Sequence, residues 1–110
     1  MSRTVDLHRL QAIAQLMLDH KLQALNLASD RLERSRMQLA AVNRAAAPAD
    51  LQPIAAGLVD VAYQRWADVR RAELNALLAR QTAEWLEARA EAATALGRVQ
   101  ALQGAMERLR

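Results

Sequence analysis

Two histidines, a row of three glutamates and a set of arginines are the residues of this chain best equipped for chemistry. His8 and His20 stand twelve residues apart, which on an α-helix points them about 120° away from each other. They cannot share a metal ion. The sequence contains no His-Glu-x-x-His and no Glu-x-x-His pair, so zinc-protease and di-iron chemistry find no ligand set. His20, beside Lys21, reads as an interface residue rather than a ligand. Glu84, Glu87 and Glu91 fall on one helical stripe, which offers a cation-binding row or a solvated face assisted by Arg80. Without a cleft they cannot be tuned into an acid–base pair. Ser2, Ser29 and Ser35 have no base in a triad position, and no glycine-rich phosphate loop exists. The expectation is a chain that is not an enzyme and binds no cofactor or metal.

The 15 basic residues outnumber the 12 acidic ones, for a net charge of +3. All except Lys21 are arginine, the side chain suited to bidentate recognition of carboxylate and phosphate. Arg31, Arg34 and Arg36 form one group and Arg65, Arg70 and Arg71 another. A hairpin pairing at similar heights would join them into a basic collar, partly neutralised by Asp30, Glu33 and Asp68. The Asp30–Arg34 spacing has the favourable i,i+4 order. Such a collar suits an acidic protein surface. Nucleic acid is disfavoured, because no aromatic platform or recognition motif accompanies the arginines.

The elements that hold these residues are set by periodicity. Leu18, Leu25, Leu32 and Leu39 recur every seven residues. Leu78, Trp85, Ala92, Val99 and Met106 do the same downstream, with Leu74, Ala88, Ala95, Leu102 and Leu109 between them and Gln81 as the break. Hydrophobic residues are 53% of the chain and aromatics 3%, with no Phe. Ala and Leu, the strong helix formers, supply most of the apolar content. Strand-preferring residues are scarce. The pattern predicts an all-α fold of one domain over 1–110, two long helices in an antiparallel coiled-coil hairpin.

Both prolines, Pro48 and Pro53, lie between the ladders. The first helix is expected over about 4–46, with Thr4 as cap, ending before Pro48. A turn at about 47–50 then leads to a second helix over about 51–109, with Asp50 as its cap. The alternative is a loop reaching Gly57 and a helix starting at Leu58. A turn near 48–50 pairs residues whose numbers sum to about 98. Trp66 would then meet Leu32 and Ser35, and Trp85 would meet Ile13 and Ala14, each a large ring against a small or medium neighbour. The seam expected is Leu18, Leu25, Leu32 and Leu39 with Trp66, Leu74, Leu78 and Trp85.

Two features exceed what a hairpin uses. Leu7, Leu10, Ile13, Leu16, Met17, Leu18 and Leu22 leave the start of the first helix apolar on several faces. The last turns of the second helix, with Val99, Leu102, Met106 and Leu109, should overhang that start. Together they predict an apolar contact site at the terminal end. A second row, from Ala72 through Ala76, Ala79 and Ala83 to Gly97, is either solvent-tolerant filler or a small-residue groove for a third helix, including one from another copy of the chain.

There is no cysteine, which excludes disulfides and thiolate metal sites. The stretch Met1–Asp6 lacks the basic start and apolar core of a signal peptide. Every apolar run is far shorter than the roughly 20 residues of a membrane span. These features predict a soluble, cytoplasmic chain.

The segment Tyr63-Gln-Arg-Trp66-Ala-Asp-Val-Arg-Arg-Ala-Glu-Leu74-Asn75, with Leu77-Leu78-Ala79, Ala83-Glu-Trp85-Leu86 and Ala95-Leu96-Gly97-Arg98-Val-Gln-Ala-Leu102, resembles the second helix of small flagellar export proteins of the FliJ/YscO type. Leu7, Leu10, Leu22, Leu25, Leu32 and Leu39 are compatible with that family's first helix. The resemblance implies a two-stranded antiparallel coiled coil similar to the central stalk of rotary ATPases. It further implies insertion of the terminal end into the type III export ATPase, and contacts with the export gate and with chaperones. On this chain the docking residues would be Leu7, Leu10, Ile13, Met17, Val99, Leu102 and Met106. The implied location is the cytoplasm, peripheral to a membrane-embedded export apparatus.

Overall fold

The computed structural model describes residues 2–46 and 53–109. They form two helices, α1 (Ser2–Ala45) and α2 (Pro53–Arg108), and the protein is an all-α helical hairpin. Thr4 lies inside α1 rather than capping it. The helix closes where expected, with the Ala46 N–H donating to the Val42 carbonyl at 2.9 Å. The turn expected at 47–50, and Asp50 as a cap, lie outside the described residues. α2 carries Gly57, Gly97 and Gly104 without interruption, because its alanine- and leucine-rich context outweighs a penalty of about 1 kcal/mol per glycine. Among the described residues no helix is long and apolar enough to cross a membrane.

The contacts divide the chain into two units, Met1–Ser29 with Ala83–Arg110, and Asp30–Thr82. In the first, Ala14, Leu18, Ala95 and Val99 are buried together, with Leu102 packed against them. In the second, Val42, Ala46, Ala67 and Leu74 form the core, flanked by Leu39 and Leu77. Leu74 has no exposed surface, and burying such a side chain contributes roughly 1.5–3 kcal/mol. The buried positions follow the three-four spacing of a coiled coil. In α1 they are Ala14, Leu18, Ala28, Leu32, Ser35 and Val42, with Ala46 just after its end, and in α2 Ala67, Leu74, Ala92, Ala95 and Val99. Each cluster mixes large and small side chains, which lets two helices approach closely at near-crystalline density.

The register differs from the expected one. Lys21 pairs with Glu91, Ser35 with Gln81, Asn43 with Arg71, and the Ala46 carbonyl with Gln64. Their numbers sum to between 110 and 116 rather than about 98. The physical reason is at the end of α1. Gln64, not a residue near Pro53, stands against Ala46, so the first turns of α2 run past the end of α1 before pairing begins. The change is about two heptads, and a slip by whole heptads keeps core positions facing core positions.

Candidate functional site

The corrected register moves several expected site residues. Trp66 does not enter the seam. It is 48% exposed and Ala67 occupies the core position beside it. Its ring stands edge-on to Tyr63, with centroids 6.4 Å apart. The sequence carries the signal for this exposed pair: Ala67, not Trp66, stands seven residues before Leu74, so the heptad itself leaves Trp66 off the seam. Leu18 and Leu32 are buried, while Leu25, Leu39, Leu78 and Trp85 are half-buried. Trp85 lies at the level of Ala28 rather than of Ile13, and the Arg89 guanidinium sits 5.5 Å from its ring centroid, within cation–π range.

The overhang expected at the last turns of α2 does not form. Leu7 and Leu109 line one hollow with Arg3, Asp6, Ala105 and Arg108, so the two helix ends are level. Val99 is 4% exposed and belongs to the core. Leu102, Met106 and Leu7 are half-buried at the seam. Of the expected docking residues, three remain open. Leu10, Ile13 and Met17 are 51%, 55% and 43% exposed. They line a groove of about 360 Å³ with Ala14, Ala95, Arg98, Ala101 and Leu102. The heptad explains their position. Ile13 and Met17 each precede a buried residue, Ala14 and Leu18, by one position, and Leu10 lies one turn earlier before the half-buried Gln11, so all three flank the seam on the side where Arg98 emerges from α2.

The basic collar also comes apart. The register puts Arg31, Arg34 and Arg36 opposite the region near Gln81, whereas Arg70 and Arg71 stand opposite Asn43 and Arg44. The two groups are separated along the pair because α2 is displaced by about two heptads. Arg70 is paired with Glu73 at 3.0 Å, Arg71 with Asp68 at 3.2 Å and Arg36 with Glu33 at 3.9 Å. Arg71 also donates to the Asn43 side-chain oxygen at 2.8 Å. Among the described residues the expected Asp30–Arg34 pair does not form. Arg31, Arg34 and Arg65 are exposed.

His20 is exposed, and His8 lies in a hollow with Gln11, Gln103, Met106 and Glu107. Glu84 and Glu87 are exposed, and Glu91 is tied to Lys21 at 3.1 Å. Among the described residues no group of three His, Cys, Asp or Glu side chains converges as a metal site. The row from Ala72 to Gly97 is exposed along its length. Compared with protein families, curated proteins and solved structures, the chain finds no match.

Proposed function

We propose that this chain is a coiled-coil stalk or escort protein of a bacterial flagellar, type III export apparatus, without catalytic activity of its own. One observation carries the proposal. A hairpin that has already built its core leaves Leu10, Ile13 and Met17 open in one groove beside the seam. Clustered apolar side chains on a two-helix protein mark a surface for a protein partner. Resemblance to export stalk proteins makes the export ATPase that partner, with the export gate and chaperones as further contacts at the cytoplasmic side of the apparatus.

The groove departs from the family expectation in one respect. Val99 is buried in the core, and Leu102 packs against it while also lining the groove, so the open apolar surface of the site is mainly on α1. Binding of the unmutated chain to its cognate export ATPase tests the proposal, and absence of binding contradicts it.

A further inference from the structure

The apolar flank continues beyond the groove. Leu10, Ile13, Met17, His20, Ala24 and Leu27 follow one another at alternating three- and four-residue steps, which keeps them on one side of a coiled coil. Leu27 is 57% exposed. On α2 the same side carries Arg98 and Glu91, then Glu87 one turn further.

This flank is self-complementary. Leu10 and Leu27 lie nearly equal distances before and after Leu18, and Arg98 and Glu91 lie nearly equal distances on either side of Ala95. Leu18 and Ala95 belong to the same buried cluster, so they stand at one level of the helix pair. A single two-fold axis through that level satisfies both relations. It seats Leu10 of one copy on Leu27 of the other, Ile13 on Ala24, and Arg98 beside Glu91. Among the described residues Arg98 and Glu87 take part in no ion pair within the chain.

We propose that the protein forms an isologous, antiparallel dimer through this flank, with Arg98 of each copy facing the Glu91–Glu87 pair of the other. An isologous contact requires one surface to complement itself under a two-fold rotation, and apolar and charged relations here meet that requirement together. The stripe from Leu10 to Leu27 is about 26 Å long. Two helices side by side are about 20 Å wide, giving a footprint of roughly 500 Å² per copy, at the low end for specific interfaces. The dimer is therefore weak and concentration-dependent. It stands on the stripe alone and not on the export reading, but it covers Leu10, Ile13 and Met17, so it must open before those residues reach another partner.

Sedimentation equilibrium of the full chain, without any ATPase, tests it. The unmutated protein should pass from one-hairpin to two-hairpin mass as concentration rises. Leu27→Glu, outside the groove, should abolish the rise with helicity retained by circular dichroism. Arg98→Glu and Glu91→Arg should each weaken self-association by about tenfold, as removal of an interfacial charge pair does. An equimolar mixture of those two variants should recover it, because each cross-contact then joins opposite charges. One-hairpin mass at every concentration overturns the proposal. So does self-association unaffected by Leu27→Glu or Arg98→Glu, or a mixture that fails to recover.

Discussion

Ser35 donates a hydrogen bond to Gln81 across the helix pair at 2.6 Å, and Ser35 is 3% exposed. The contact is polar, buried and specific to one pairing. Apolar heptad positions are interchangeable under a slip of seven residues, whereas a buried polar pair is satisfied at one register only. Ser35→Ala removes the donor to the Gln81 oxygen and should cost about 1 kcal/mol in urea unfolding. The register itself can be trapped. Ser35→Cys combined with Gln81→Cys should oxidise to an intrachain disulfide, and Ser35→Cys combined with Tyr63→Cys should not. The reverse outcome would restore the tight turn near residues 48–50.

Lys21 and Glu91 mark the same register in the other unit, at 3.1 Å, with side chains 32% and 48% exposed. At that exposure, water and salt screen the pair. Glu91→Gln should cost between about 0.2 and 1 kcal/mol at low ionic strength. The loss should shrink toward zero in molar salt. A larger, salt-independent loss would mean that Lys21 is far more deeply buried than its surface indicates.

Gly97 occupies an exposed position inside the C-terminal part of α2, and a Cβ there meets nothing within 4 Å. Gly97→Ala should therefore stabilise the hairpin by about 0.5–1 kcal/mol, the helix-propensity difference. The midpoint of thermal unfolding reads this directly. Destabilisation would show that the Ala72–Gly97 face is covered closely in solution by another helix.

The core positions were legible because helical burial repeats at a fixed step. Leu18, Leu32 and Leu74 could be placed on a seam from spacing alone, and they are buried. The register was not legible for the same reason. Periodicity is unchanged by a slip of two heptads, so it could not choose the register, although it does put Ala67 rather than Trp66 on the ladder of Leu74 and Gln81. What selects the register is the length of chain before pairing begins, and proline positions do not encode that length. The error then carried over to the site. It joined two arginine groups that lie apart and gave Val99 to a docking end when it belongs to the core. Leu10, Ile13 and Met17 escaped it, because their excess over one seam follows from α1 alone.

The export proposal turns on those three side chains. The most direct measurement is a fluorescence titration of the labelled hairpin with its cognate export ATPase. The unmutated chain is compared with a Leu10→Asp, Ile13→Asp double variant and with Val69→Asp. Val69 is 61% exposed and lies in the other unit, so its substitution controls for added surface charge. The double variant should bind at least about tenfold more weakly, the loss of roughly 1.4 kcal/mol expected when anchoring apolar residues are removed, while Val69→Asp binds like the unmutated chain. No binding by the unmutated chain, or equal affinity for all three, would contradict the proposal.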